Sequence, residues 1–370
     1  MALIRVLQVV GNLRMGGAET MVMNLYKQID REKIQFDFLI YRDENTFYAD
    51  LVRSLGGRVI VLDNRCVRNP LRYYVGLRKI VKKYGPYKAI HAHMDSHNAI
   101  PMTIARLLGV PIRVSHSHTT LRFLSKNLFR KIYYAISGYL ISCNSTRLLS
   151  CGIAAGKALY GKKKFEVIYN PIDIDSYVNV DERMIKAFKM DMNICEKKIV
   201  VGMIGRLNEE KNHLFALDVA EKLMMTGQDF VMLVAGEGPM RNALEQVIHK
   251  KHMEQYVRLL GNRKDIPVFL KCVDVLLMPS LYEGFPVTLI ESQTAGIPAL
   301  ISDSITEEAD LGFDLLHRCS LHESAELWES KLLSVKKITY VDEAARIEIL
   351  RKKGFDSKRN VLFYEKLYGA

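Results

Sequence analysis

The sequence predicts an α/β protein built of two doubly wound domains, each a parallel sheet covered by helices. Three observations predict it. Continuous apolar runs of strand length, such as 4–10, 199–204 and 273–278, alternate with helical patterns along both halves. Such alternation yields parallel sheets whose ligands bind off the carboxyl ends of the strands. A length of 370 residues suits two domains of ordinary size.

The elements follow in order. In the first half, strands are expected at 4–10, 36–40, 59–62, 88–92, 112–115, 147–151 and 166–169, with helical patterns at 19–28, 47–55, 71–84, 99–108, 121–140 and 153–160. The polar, charged stretch 176–196 reads as a linker, so the domains are 1–175 and 176–354. The second half repeats the theme with strands at 199–204, 230–235, 257–260, 273–278 and 298–302, and helices at 214–225, 241–252 and after 286. Helical patterns at 324–335, 341–353 and 357–367 close the chain.

Composition narrows the class. Hydrophobic residues make up 49% and charged residues 25%, enough apolar surface for large cores and against global disorder. The six cysteines, at 66, 143, 151, 195, 272 and 319, form no C-x-x-C pair and no metal spacing. They read as buried thiols in a reducing compartment, and the expected location is cytoplasmic. The run 4–10 is too short for a signal-peptide core or a membrane span. Net charge is +12, yet no recognisable nucleic-acid motif accompanies it.

The chemistry concentrates at Glu283-Gly284-Phe285-Pro286-Val287-Thr288-Leu289-Ile290-Glu291, which follows an apolar strand and opens a helix. A helix start offers unpaired backbone N–H groups and partial positive charge to an anion. Gly284 permits close backbone approach, and Pro286 suits the first helical position. The two glutamates do not read as a glycosidase pair. Eight residues of helix span roughly 12 Å, whereas retaining and inverting pairs need about 5–5.5 and 6.5–9.5 Å. Two separate roles follow, Glu283 toward a sugar and Glu291 toward another part of the ligand. About 75 residues upstream, Gly205-Arg206 follows another strand and Lys211 stands five residues after Arg206, two cations for a diphosphate.

The Arg206…Lys211 element and the Glu283…Glu291 element together resemble the retaining GT-B glycosyltransferases of family four, which use nucleotide-sugar donors. Gly16-Gly17-Ala18-Glu19, Asn170-Pro171-Ile172-Asp173 and Gly236-Glu237-Gly238-Pro239 extend the resemblance over nearly the whole chain, in the family's order. The resemblance implies two Rossmann-like domains facing a cleft, the last helix (355–370) packing back on the first domain. It also implies that Gly16 and Gly17 close over the donor diphosphate. By the same resemblance the loop with Asn262 and Arg263 recognises the nucleobase largely through backbone groups, and Gly236 lies at the donor. Glu283, Gly284, Phe285, Pro286, Val287, Thr288 and Glu291 hold sugar, phosphate and ribose. Glu283, Arg206, Lys211 and His118 are the expected catalytic set.

Histidines cluster after two strands of the first half: His91, His93 and His97, then His116 and His118. Zinc is not expected, because no acidic or cysteine partner sits at ligand spacing. His93 and His116 are expected on the acceptor side. In the family a histidine at the second of these strand ends contacts the donor sugar; the sequence does not fix which of His116 and His118 it is, and His118, further beyond the strand, is favoured. Asp173-Ile174-Asp175 reads D-x-D, a metal–diphosphate signature of another fold class, and is set aside because Arg206 and Lys211 already neutralise the diphosphate. No metal or cofactor is expected. The donor is expected to be a UDP-sugar, and the acceptor a glycan or lipid-linked hydroxyl in cell-surface polysaccharide synthesis. A sugar-nucleotide epimerase on the same fold is the alternative, and a phosphorylase would carry a pyridoxal-binding lysine.

Charge is uneven. Residues 1–175 hold 27 Lys and Arg against 12 Asp and Glu, a net +15, and residues 176–370 hold 26 against 29, a net −3. Within 121–140, Arg122, Lys126, Arg130 and Lys131 alternate with Phe123, Phe129, Tyr133 and Tyr134. That pattern reads either as an amphipathic helix lying on an anionic membrane or as an ordinary helix packed on the sheet.

Overall fold

A computed structural model describes residues 3–14, 16–41, 47–63, 69–119, 127–195, 197–335 and 342–369. The chain divides into two compact units, Met1–Ile172 with Gly354–Ala370, and Asp173–Lys353.

The first unit is a seven-stranded parallel sheet: β1 (Ile4–Val9), β2 (Ile34–Ile40), β3 (Arg58–Val61), β4 (Ala89–Ala92), β5 (Ile112–Ser117), β6 (Arg147–Ser150) and β7 (Glu166–Val167), in the spatial order β3-β2-β1-β4-β5-β6-β7. The order reverses between β1 and β4, and that switch point opens the crevice at the strands' carboxyl ends. Two apolar layers sandwich the sheet. Val6, Phe36 and Phe38 face one of them with the helix Gly17–Gln28, and Leu7, Val9 and Ile90 face the other with Pro70–Tyr84. The closing helix Ser357–Tyr368 contributes Val361, Tyr364 and Tyr368 to the first layer, with the Tyr368 ring edge-on to Phe36 at 5.8 Å.

The second unit repeats the plan with six parallel strands: β8 (Ile199–Ile204), β9 (Phe230–Ala235), β10 (Val257–Gly261), β11 (Val275–Met278), β12 (Ala299–Ser302) and β13 (Leu316–Cys319), in the order β10-β9-β8-β11-β12-β13. Its switch point lies between β8 and β11. The Arg206 and Glu283 segments leave the ends of those two neighbouring strands.

Several expectations need correction. The stretch 176–196 is not a linker. Helices Ile174–Val178 and Glu182–Asp191 occupy most of it, the second capped by the Asp181 carboxylate and anchored by buried Phe188. One large apolar residue is enough to dock a short helix whose other faces are charged. The division between units accordingly falls at Ile172/Asp173. Pro286 is the N-cap, and the helix proper runs Val287–Ala295. The helix expected at 121–140 runs Leu128–Asn144, because the Asn127 side chain accepts from the N–H groups of Phe129 and Arg130 and so sets its start. Arg122, Phe123 and Lys126 lie outside the described residues. Of the five described cysteines, all free, Cys143 and Cys195 are exposed rather than buried. Among the described residues no helix is long and apolar enough to cross a membrane.

Candidate active site

In the second unit two loops meet at the switch point. Lys211 Nζ lies 2.6 Å from Glu283 Oε1, a largely enclosed ion pair linking them. Leu281 N–H donates to the Glu210 carbonyl at 2.8 Å, and the Tyr282 hydroxyl donates to the Glu210 carboxylate at 2.9 Å. Burial, and then the hydrogen bond to Glu210, push the Tyr282 phenol up to about 12, so it stays a donor. Arg206 is exposed beside this pair in sequence.

Glycines let the backbones come this close. Gly236 adopts φ +153°, and a Cβ there would stand 1.9 Å from the Gly205 carbonyl oxygen. Gly205 has φ +149°, and its Cβ would meet Lys211 Cε at 3.0 Å. The turn after β8 thus needs glycine both for its own dihedrals and to leave room for the lysine.

The helix Val287–Ala295 begins without a side-chain cap, so its first-turn N–H groups are offered at the loop. Phe285 and Pro286 are buried beneath it. Glu291, one turn further, accepts from the Tyr177 hydroxyl at 2.6 Å. Burial raises the Glu291 pKa, and the Tyr177 bond partly opposes the rise. Asn262 is exposed after β10, and Gly236 N–H donates to the Gly261 carbonyl at 2.8 Å. The Arg263 side chain is committed elsewhere: it holds Asp265 through two bonds of 2.8 and 2.6 Å and lies over the Phe188 ring. The exposed side chains of this loop are Asn262 and Lys264. Asp175 pairs with Arg351 at 3.7 Å.

In the first unit the histidines gather at the switch point. His93 Nδ1 is 3.0 Å from His118 Nε2, and the His93 and His91 rings stack at 4.1 Å. His116 is fully buried whereas His118 is partly exposed, so of the two only His118 reaches the surface. Burial drives His118 down to about 3 and holds His91, His93 and His116 well below the ordinary imidazole range, so all four are neutral. Ring nitrogens of His91, His93 and His116 lie within 4.8 Å of one another. The arrangement suits packing better than a metal. The His91 and His116 rings lie in nearly parallel planes, 10° apart, with centroids 5.4 Å apart. Both nitrogens of His93 are already engaged, by His118 and by Gln8.

Asp95, which sequence reasoning passed over, builds the loop after β5. It sits at φ +50° and accepts from the N–H groups of His118 (2.7 Å) and Thr119 (3.1 Å) and from the Ser117 hydroxyl (3.3 Å). Burial pushes its carboxyl up to about 6. Asn98 donates to the Ala92 carbonyl and the Ser115 hydroxyl, tying the ends of β4 and β5 together. A short polar run directly after a strand was the available signal. Gly16 caps the helix Gly17–Gln28 with extended backbone, and a Cβ on Gly17 would meet nothing within 4 Å. Neither strain nor packing inside the protein requires glycine at 17.

The chain belongs to the glycosyltransferases of group 1 and family 4. Residues 185–310 match the family model described as Glycosyl transferases group 1, and residues 15–176 match Glycosyltransferase Family 4. EpsF of Bacillus subtilis (strain 168), a glycosyltransferase by name, is 36% identical over 362 residues, covering 96% of this chain and 94% of its own. The Escherichia coli UDP-Gal:alpha-D-GlcNAc-diphosphoundecaprenol alpha-1,3-galactosyltransferase is 28% identical over 248 residues, 63% of this chain and 62% of that protein. The crystal structure of Anabaena Alr3699/HepE in complex with UDP and glucose aligns with 98% of this chain and 99% of its own at TM-score 0.79 and 17% identity, a likeness of fold, GT-B.

Proposed function

We propose that this glycosyltransferase moves a sugar from a UDP-sugar to a hydroxyl of a glycan or lipid-linked acceptor, with retention at the anomeric carbon, in the synthesis of a cell-surface polysaccharide. The observation that carries the reading is the junction of the Arg206–Lys211 turn and the Glu283–Thr288 helix start at one switch point. The leaving group is a nucleoside diphosphate, whose charge grows as the glycosidic bond breaks. Arg206, Lys211 and the first-turn N–H groups of Val287 and Thr288 stabilise it. Lys211 is held by Glu283 before the donor binds; Glu283 then turns its carboxylate to the sugar hydroxyls, and Glu291 accepts from the ribose. Gly236 and Asn262 border the nucleotide, and Gly16 and Gly17 leave backbone free to approach phosphate. His118 meets the sugar as a neutral imidazole, with His93 and His116 behind it. The departing phosphate assists deprotonation of the acceptor at the face it leaves. The family favours transfer over epimerisation, and the galactosyltransferase and HepE relatives support a UDP donor. A crystal soaked with UDP-sugars tests the assignment directly.

Protein cations at the diphosphate make a divalent metal unnecessary. Turnover is expected to persist in excess chelator; complete loss restored by manganese or magnesium would return Asp173 and Asp175 to the site.

A lipid-linked acceptor, such as the one named for the E. coli relative, requires work at a membrane face. The helix Leu128–Asn144 supports this. It turns Ser137, Gly138, Ile141 and Asn144 inward and leaves Phe129 83%, Ile136 56% and Tyr139 68% exposed. A Cβ on Gly138 would come 2.4 Å from the Leu159 carbonyl, so small residues dock the helix closely while its large apolar residues point out. Arg130 and Lys131 are exposed on the same helix. The occupant we propose is an anionic bilayer, matching the net +15 of residues 1–175. Each basic residue near such a surface contributes about 1 kcal/mol, within a Debye length of about 8–10 Å. Co-sedimentation with anionic vesicles is expected at low salt, with binding weakened by high salt and by Arg130→Glu with Lys131→Glu. Equal binding to neutral vesicles, or none at low salt, contradicts the membrane role.

A further inference from the structure

Buried polar groups of the first unit line up in one chain of hydrogen bonds. His118 Nε2 is 3.0 Å from His93 Nδ1, His93 Nε2 is 2.9 Å from Gln8 Oε1, Gln8 Nε2 is 3.3 Å from the Tyr368 hydroxyl, and that hydroxyl is 2.7 Å from His91 Nδ1. Gln8 and Tyr368 are fully buried, one on β1 and the other in the last turn of the closing helix.

We propose that the Gln8 amide, held by Tyr368, sets the tautomer of His93 and through it that of His118, so that His118 Nδ1 is left unprotonated. With the Gln8 amide oxygen toward His93 and its nitrogen toward Tyr368, the direction follows from donor and acceptor chemistry. A carbonyl oxygen can only accept, so His93 carries its proton on Nε2. Its Nδ1 is then an acceptor, and His118 must supply the proton from Nε2. That leaves His118 Nδ1 a bare lone pair, and this atom is enclosed with no hydrogen-bond partner among the described residues. At the other end the Gln8 N–H donates to the Tyr368 oxygen, and Tyr368 donates onward to His91 Nδ1. Every link agrees with every other. Turning the amide over would reverse them all and make His118 Nδ1 a donor, so the orientation of one side chain decides. Because burial keeps the chain's three imidazoles neutral, each has one donor and one acceptor nitrogen, and the amide orientation specifies them all.

Gln8 and Tyr368 are positioning residues in this scheme, which rests on the sugar-contacting role proposed for His118 only for its consequence in catalysis. The full chain labelled with nitrogen-15 histidine tests it by long-range proton–nitrogen correlation, independently of activity. Nδ1 of His91, His93 and His118 is expected to be unprotonated and Nε2 protonated. A protonated His118 Nδ1, or averaging between tautomers, overturns the proposal. Gln8→Met removes both ends of the amide; His93 and His118 should then average between tautomers, and kcat/KM should fall about tenfold, the size of one hydrogen bond lost. Gln8→Glu, buried and protonated, keeps one acceptor and one donor and should restore both readouts. Unaltered His118 tautomers in Gln8→Met would overturn the proposal even if activity fell. Full transfer activity in His118→Ala would instead remove the sugar contact from the proposed function, with the nitrogen spectra still judging the chain.

Discussion

Arg206→Ala and Lys211→Ala are each expected to lower kcat/KM at least about thirty-fold, the equivalent of roughly 2 kcal/mol of transition-state stabilisation from one charged donor. The two should differ in what else they change. Arg206 is exposed, so its removal should leave the melting temperature nearly untouched. Lys211 is paired at 2.6 Å with Glu283, and the pair is only 19% and 12% exposed. Lys211→Ala removes the cation paired with a mostly enclosed carboxylate, which is destabilising in its own right. Thermal unfolding beside steady-state kinetics separates the effects. Near-wild-type turnover in both variants, with the charge gone, would remove these residues from the leaving-group site.

The largest structural effect is expected from Gly236→Ala. A methyl group there would sit 1.9 Å from the Gly205 oxygen, at a φ of +153° that side-chain-bearing residues rarely adopt. The contact is with backbone, so no rotamer change relieves it. The turn after β8 must move, and Lys211 packs on that turn. A loss of at least about 3 kcal/mol is expected from strain and overpacking combined, with activity lost in the fraction that remains folded. Chemical denaturation measures it; an unchanged midpoint would mean that the β8 and β9 turns are not packed as described.

The sheets were legible because parallel strands buried on both faces read as unbroken apolar runs, as in Phe230–Ala235. Where a strand departs from that rule it was shortened or missed. β2 begins at Ile34, two residues before the expected start, and Asp37 inside it is fully buried because Arg5 pairs with it at 2.8 Å and Tyr87 donates to it. β13, an edge strand, buries only Cys319 and shows no run at all. The charged loops after β8 and β11 were legible as candidate anion sites because strand–glycine–helix junctions offer unpaired N–H groups. Their internal partners were not. Tyr177 against Glu291, Glu210 against Tyr282, and Gln8 against Tyr368 join residues 72 to 360 positions apart. Nothing local in the sequence marks such pairs. The apolar face of the Leu128–Asn144 helix shows the same limit: the pattern revealed two faces, and only packing through Gly138 decided which turned inward.

The measurement that most directly tests the central claim is incubation with anomerically labelled UDP-sugars, following nucleotide release and the configuration of the product by NMR. UDP release coupled to transfer, or slow donor hydrolysis, is expected, with the α configuration retained. Inversion at a sugar carbon without nucleotide release, or a transferred product of opposite anomeric configuration, would contradict it.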